Sequence, residues 1–258
     1  MGVEAERDFV EHMRWDDVAR RIAAGAAAIL PIGAGAKQHG LHLPLGTDRI
    51  QAERLAARLA GRIDALIWPT LTYGHYPAFV DYAGSINLSA ATFENVVSEI
   101  ASEILHHGCR ALFVLDTGVS TRAPVERALA RLENARHLKI HEGPRYRRAA
   151  AAHARQGHGS HADELETSLM LAIAPEIVEM VRAEASPSIA QAVPGRLTPT
   201  DKTSPNYSRS GSYGDPTLAT FEKGNTLLAA MLDDLAEQAT SFLANRSGAA
   251  SRARGAAS

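Results

Sequence analysis

The chain has 258 residues, with 27 Lys and Arg against 29 Asp and Glu, and 45% of its residues are hydrophobic. The formal charge of −2 leaves no strong field to attract nucleic acid or an anionic membrane, and the apolar runs are too short to span a bilayer. A single cysteine, Cys109, excludes an internal disulfide framework, favours a reducing compartment and is expected to be a small buried hydrophobe. Acidic residues near the N-terminus do not fit a signal peptide, so we expect a cytoplasmic protein.

Short apolar runs alternate with longer helical patterns along the chain. The pattern predicts, in order, a helix at 18–24, a strand at 28–32, a helix at 48–59, a strand at 65–71, a helix at 91–107, a strand at 111–115, a helix at 124–134, a strand at 138–141 and helices at 165–174 and 218–242. Residues 186–216 are expected to be irregular. A disordered tail, 245–258, is expected to follow one domain formed by residues 1–244.

Strands separated by helices imply right-handed crossovers and a mainly parallel sheet. The predicted fold class is therefore α/β, a single domain with a mainly parallel sheet flanked by helices. Ligands of such sheets bind outside the carboxyl ends of the strands, which directs attention to the segments that follow them. These segments are 33–48, 72–86, 116–123 and 141–166.

The densest polar cluster follows the first predicted strand. Gly33 and Gly35 fit the start of a dinucleotide-binding loop, but Gln38 stands where its third glycine belongs. Lys37 likewise lacks the neighbours of a phosphate-binding lysine. Histidine and aspartate suit divalent ions such as Zn, Mn or Fe. The loop therefore contains either a metal site or surface and capping residues, and the residues concerned are His39, His42 and Asp48.

A second polar cluster precedes the predicted helix 165–174. His161 and Glu166 are five residues apart, so they do not lie on one helical face. They could still converge if His161 lies in the loop and Glu166 in the first helical turn, where the helix dipole favours a carboxylate. The alternative is a capped, acidic helix N-terminus without catalytic function.

Five motifs in order along the chain resemble the creatininase (creatinine amidohydrolase) family: residues 30–33, 38–48, 82–86, 161–171 and 214–224. The resemblance covers about residues 15–228. It implies an α/β fold with a parallel sheet and a two-metal centre at the carboxyl ends of the strands. It also implies homo-oligomers, often hexamers, that hydrolyse amide or cyclic amide bonds in small molecules.

Two departures from the family pattern concern the metal ligands. Family members usually have Glu where this chain has Lys37, and Asn-Gly-His where this chain has residues 116–118. The resemblance assigns both missing residues to the same ion and retains the other ion's positions at His39, Asp48 and Glu166. We therefore expect one divalent ion per chain, Zn, Mn or Fe, although Asp116 or Asp163 could recruit a second.

The resemblance also indicates catalytic roles. His161 matches the family's proton-transfer histidine, and Glu166 lies beside it in the predicted site. Lys37 could replace the lost ion electrostatically or act as a general base; alternatively, it is a solvated loop residue of an inactive protein. His42 resembles a histidine that supports the metal ligands rather than binding the ion.

Residues after the second and third strands could line a substrate pocket, with ordinary loop packing or a surface position as the alternative. They are His75, Tyr76, Phe79, Tyr82, Thr117, Ser120 and Arg122, of which Arg122 could bind a substrate carboxylate. His12 and His137 are expected to be surface residues.

These observations lead to three hypotheses. The first is a metal-dependent hydrolase that cleaves an amide, lactam or related non-peptide C–N bond in a small polar molecule through metal-activated water. The second is ring opening, ring closure or C–C hydrolysis of a cyclic keto compound. The third is a non-catalytic small-molecule binding or assembly protein. We expect no nucleic-acid or membrane partner, and a homo-oligomer, a hexamer by resemblance.

Overall fold

Four parallel strands form the centre of the protein in the computed structural model, which describes residues 7–186 and 195–255, with side chains as far as 246. The strands are β1 (Ala27–Ile32), β2 (Ala65–Ile67), β3 (Leu112–Asp116) and β4 (Ala135–Lys139), in the order β2-β1-β3-β4. The helices are α1 (Trp15–Ala23), α2 (Thr47–Ile63), α3 (Ala90–His106), α4 (Arg122–Leu129), α5 (Pro144–His153), α6 (Glu164–Ile173) and α7 (Phe221–Gly255). The predicted α/β class with a parallel sheet is confirmed.

Helices cover both faces of the sheet because the two central strands are apolar on both sides. Ile29 and Phe113 point into a core shared with α2, α6 and α7, whereas Leu30 and Val114 point into a core shared with α3 and α4. β1 and β3 are buried along their whole length. This arrangement is the reason these strands read as continuous apolar runs. Cys109 is buried, as expected.

Several element boundaries differ from the predicted ones. β2 ends at Ile67 rather than at 71, because Pro69 has no backbone N–H to donate to a neighbouring strand. β4 begins at Ala135, three residues early, since its register is set by pairing with β3. Helix α5 was not predicted. It contains one buried side chain, Tyr146, so it lacks the apolar stripe that marks a helix in the sequence.

The C-terminal segment also differs from the expectation. Helix α7 continues to Gly255, through most of the segment 245–258 for which the sequence predicts disorder. The Ala and Arg residues of this segment are strong helix formers, which explains why the helix continues. The domain boundary at 244 stays a prediction. In the described part of 186–216 the chain forms turns and isolated bridges, as expected, whereas 187–194 lie outside the described residues.

The close approach of α6 and α7 positions the start of α6 at the carboxyl end of the sheet. A Cβ on Gly224 would lie 1.8 Å from the Ser168 carbonyl oxygen, so only glycine permits this approach. Ser168 Oγ also accepts a hydrogen bond from the backbone N–H of Thr220. At the helix start, Lys223 pairs with the buried carboxylate of Glu164. These contacts hold the first turn of α6, which carries a candidate site residue.

Among the described residues, no helix is both long and apolar enough to cross a membrane.

Truncation of Phe113 is expected to destabilise the protein strongly. Phe113 is fully buried and its ring meets that of Phe242 edge to face at 5.9 Å. We predict that Phe113→Ala lowers the free energy of unfolding by about 3–5 kcal/mol in urea denaturation. Trp15, which is 84% exposed, provides the control, because Trp15→Ala should change it by only about 0.5 kcal/mol. Equal effects of the two variants would contradict the assigned core.

Candidate metal centre

The loop after β1 folds back onto the start of α2. A Cβ on Gly33 would lie 2.3 Å from the Asp48 carbonyl oxygen, so glycine is required for this contact. The contact brings the loop residues 37–39 to the side chain of Asp48, which lies in the first turn of α2. A carboxylate is favoured there by the helix dipole. Asp48 is 1% exposed and therefore needs a compensating positive charge nearby.

Lys37 provides that charge. Its Nζ lies 2.7 Å from Asp48 Oδ2, and the residue is 6% exposed. The ammonium also lies 5.5 Å from the ring centroid of Tyr76 and 5.0 Å from that of Phe79, within the range of cation–π attraction. Burial alone would raise the pKa of Asp48, but Lys37 and His39 together hold it well below its usual range. The alternative interpretation of Lys37 as a solvated loop residue therefore does not hold, because the side chain is buried.

His39 is fully buried, and both of its ring nitrogens face acceptors. Nδ1 donates to the Lys37 carbonyl oxygen at 2.8 Å. Nε2 lies 2.9 Å from Asp48 Oδ1 and 3.8 Å from Glu166 Oε1. A nitrogen in this position either donates a proton to the carboxylates or shares a cation with them. The second arrangement is the usual one for a metal-ligating histidine, whose other nitrogen donates to a carbonyl group.

His161 is oriented in a similar way. Its Nε2 donates to the Gln38 carbonyl oxygen at 2.8 Å, so the neutral ring carries its lone pair on Nδ1, 3.8 Å from Glu166 Oε2. The ring packs against Phe79 at 4.3 Å and against His39 at 4.9 Å between centroids. Burial, with Lys37 and His39 nearby, lowers the pKa of His161 well below its usual value. His161 is therefore neutral at pH 7.

Glu166 completes the cluster from the first turn of α6. The helix begins at its N-cap Asp163, whose Oδ1 accepts the backbone N–H groups of Leu165 and Glu166 at 3.0 Å. The backbone N–H of Ala162 donates to Glu166 Oε2. Burial raises the pKa of Glu166, and the nearby Asp48 carboxylate raises it further. A cation between these groups would remove this unfavourable interaction.

The donor set suits a divalent ion. Ligand atoms of His39, His161 and Glu166 lie within 4.8 Å of one another, and Asp48 Oδ1 adjoins His39. Imidazole nitrogens and carboxylate oxygens in this combination are typical of Zn, Mn or Fe sites. The side chains of the sequence-based ligand set, His39, Asp48 and Glu166, thus come together, and His161, the predicted proton-transfer residue, lies beside Glu166.

The two acidic residues considered as ligands of a second ion are already engaged. Asp116, at the end of β3, accepts hydrogen bonds from Gly118 N and Thr121 Oγ1 and lies 3.0 Å from His137 Nε2. Asp163 caps α6 and accepts from Gln156 Nε2 at 2.7 Å. Neither carboxylate is therefore available without breaking local structure. His137 is correspondingly not a surface residue, since its side chain is 8% exposed.

A cavity of about 660 Å³ opens beside the cluster. Of the predicted pocket residues, it is lined by Tyr76, Phe79, Thr117, Ser120 and Arg122, together with Lys37, Asp48, His161 and Glu166. His75 does not line it, because its ring turns away and donates to the Leu88 carbonyl oxygen at 2.9 Å. Tyr82 does not line the cavity either, and its hydroxyl donates a hydrogen bond to the Ser208 carbonyl oxygen.

The cavity residues that the sequence did not predict include His141 after β4 and Tyr146 on α5. The position of His141 beyond a strand end was the available signal for it. For Tyr146 the signal was weaker: Pro144 at a helix start and the alanines that follow. His42 lies behind the site and pairs with Thr167 Oγ1 at 2.7 Å, in agreement with a supporting role.

Comparison with known proteins places the chain in a family. The sequence profile of the creatininase family, described as creatinine amidohydrolase, matches residues 11–239. Creatinine amidohydrolase of Pseudomonas putida is 26% identical over 89% of this chain and 95% of that protein. The mycofactocin precursor peptide peptidase of Mycobacterium ulcerans (strain Agy99) is 30% identical over 80% of this chain and 81% of that protein. The chain belongs to the creatininase family.

The structural comparison agrees. A mutant creatininase superposes with a TM-score of 0.79 at 26% identity, covering 92% of this chain and 98% of the other. Related creatininase structures carry Mn or Zn, and one is complexed with creatine. These relatives support a metal-dependent amide hydrolase in general. Restriction to non-peptide bonds is not confirmed, because one relative is a peptidase.

The cap of α6 is expected to affect both stability and metal binding. Asp163→Ala should lower the free energy of unfolding by about 1 kcal/mol, and it should weaken Zn²⁺ binding because Glu166 loses its fixed position. Ser89, the N-cap of α3, is a matched control for the cap alone. Ser89→Ala should cost a similar stability and leave Zn²⁺ affinity unchanged, as judged by urea denaturation and Zn²⁺ titration. Equal Zn²⁺ affinity in both variants would contradict the role assigned to Asp163.

Proposed function

We propose that this protein is a hydrolase with one divalent ion, held by His39, Asp48 and Glu166, and that it cleaves an amide, lactam or related C–N bond in a small polar molecule. The observation that carries the proposal is the convergence of these three side chains and His161 beside one cavity, whose wall includes Asp48, His161 and Glu166. When bound, the ion supplies Lewis-acid chemistry: it polarises a carbonyl group and favours ionisation of water.

A single ion is proposed because Lys37 fills the role of a second one. Its ammonium pairs with Asp48 Oδ2 and lies near two aromatic rings, so a positive charge is already present beside the Asp48 carboxylate. An ammonium has no coordination sites, and it cannot ionise water. It can stabilise negative charge that develops on a bound carbonyl oxygen, since the site is shielded from solvent.

His161 is proposed to carry the proton to the leaving group. Its Nε2–H is held by the Gln38 carbonyl oxygen, which fixes the tautomer and leaves Nδ1 to accept a proton. Because the imidazole is neutral at pH 7, Nδ1 is ready to accept one. Four protein ligands would close a tetrahedral site, whereas catalysis needs an open position. This requirement favours His161 as a proton carrier rather than as a fourth ligand.

A second candidate uses the same site on a different bond. Replacement of a metal ligand by Lys37 weakens the activation that a stable amide needs, but a ketone carbonyl is a better electrophile. Ring opening, ring closure or C–C hydrolysis of a cyclic keto compound is therefore the alternative reaction. A peptide substrate also remains within the proposal, given the peptidase among the relatives.

A homo-oligomer, a hexamer by resemblance, and a cytoplasmic location are likewise proposed.

The test is a substrate panel with the Zn²⁺- or Mn²⁺-loaded protein. The panel contains cyclic amides, lactams, a cyclic diketone and short peptides, with products identified by mass spectrometry. We expect turnover of an amide or lactam, loss of that turnover in Lys37→Met, and retention of the ion in the same variant. Turnover of the diketone alone would favour the second candidate.

Two outcomes would contradict the proposal. Full activity of Lys37→Met would show that the ammonium does not act in the reaction. No turnover of any compound by the metal-loaded protein would favour a binding or assembly protein. Arg127→Met is the matched control, because Arg127 is an exposed cation paired with Glu94 on the surface and should tolerate the change.

A further inference from the structure

One part of the cavity is lined by three side chains whose hydrogen-bond donors are only partly used. The ends of β3 and β4 are adjacent in the sheet, so the residues that follow them meet at the same edge. Arg122 begins α4 after β3, His141 follows β4, and Tyr146 lies in the first turn of α5. All three line the cavity that the candidate metal centre faces.

Arg122 is only partly neutralised. Its Nη1 donates to Glu142 Oε1 at 2.8 Å, and its buried Nε has no partner among the described residues. Glu142 is also shared, since its other oxygen lies 3.4 Å from the ammonium of Lys139. An arginine carries five N–H donors in a planar fork that fits a carboxylate. Most of that capacity is unused here.

His141 and Tyr146 line the same cavity as Arg122 and are neutral donors. Their rings are 5.4 Å apart between centroids. Burial, with Arg122 nearby, lowers the pKa of His141 to about 4, so the imidazole is neutral and offers an N–H group. Burial also raises the pKa of Tyr146, so its hydroxyl stays protonated. No hydrogen bond to either ring system is found within residues 7–186 and 195–255.

The backbone of this part is rigid. Asp234 on α7 accepts the backbone N–H of Tyr146 at 2.8 Å and also binds Arg145. Ser120 is engaged as well, since its Oγ donates to the His75 carbonyl oxygen at 2.6 Å. Arg122, His141 and Tyr146 therefore keep donors for a ligand, and the backbone of Tyr146 is held in place before a ligand arrives.

We propose that Arg122, His141 and Tyr146 form a subsite for a carboxylate group of the substrate. The inference rests on the proposed function, because it assumes that the substrate's carbonyl group lies at the candidate metal centre. It narrows the substrate class to amides or lactams that also carry a carboxylate. A carboxylate is favoured over a hydroxyl group because all three residues offer donors and one of them is a cation.

The test compares two probes that differ only in this group. Succinamate has one amide and one carboxylate, whereas succinamide has two amides. Calorimetry with the Zn²⁺-loaded protein should give succinamate an affinity about tenfold or more above that of succinamide. In Arg122→Gln the ratio should fall to nearly one. In Tyr146→Phe it should fall by about threefold, because a hydrogen bond is lost but the charge remains.

Arg127→Gln is the control, since Arg127 lies on the same helix at the exposed surface. It should keep the selectivity of the wild type. Equal or undetectable binding of both probes by the wild type, or selectivity that survives Arg122→Gln, would overturn the subsite. Because binding needs no turnover, hydrolysis of neutral amides without carboxylate selectivity would reject the subsite alone. Selective binding without hydrolysis of any panel compound would instead reject the hydrolase.

Discussion

Burial of the Asp48 carboxylate at the start of α2 is the constraint around which this site is arranged. A buried charge of this kind is tolerated only if it is paired and hydrogen-bonded. Lys37 and His39 both reach it from the loop after β1, and the glycine at position 33 permits the close approach that brings them there. Loss of Lys37 leaves a buried charge without its cation, which typically costs about 3–5 kcal/mol.

The ion pair between Lys37 and Asp48 is also the basis for proposing one metal ion instead of two. The ammonium of Lys37 pairs with one oxygen of the Asp48 carboxylate, and the other oxygen lies 2.9 Å from His39 Nε2. In the segment after β3, Asp116 accepts a hydrogen bond from Thr121 Oγ1 and lies 3.0 Å from His137 Nε2. The contacts in the loop after β1 and in the segment after β3 both agree with the proposed change from two ions to one ion and a lysine. The proposed carboxylate subsite lies in the same cavity as Lys37 and Asp48.

Sequence patterns predicted the parts of the protein that depend on local chemistry. The buried strands were recognisable from continuous apolar runs, and the side chains that come together around Asp48 and Glu166 lie in the motifs at residues 38–48 and 161–171. What could not be predicted depends on long-range contacts. His137 reads as a surface residue until its pairing with Asp116 is known. Tyr146 enters the cavity only because Asp234, far away in the sequence, holds α5, and His75 leaves it because the Leu88 carbonyl oxygen binds its ring.

Metal content per chain tests the account most directly. This content is measured by elemental analysis of the protein purified without a histidine tag. The variants His39→Ala and His12→Ala, the control at an exposed site, are analysed in the same way. The account predicts roughly one divalent ion per chain in the wild type and in His12→Ala, and loss of that ion in His39→Ala with the fold retained by circular dichroism. Two ions per chain, none in the wild type, or an ion retained by His39→Ala would contradict it.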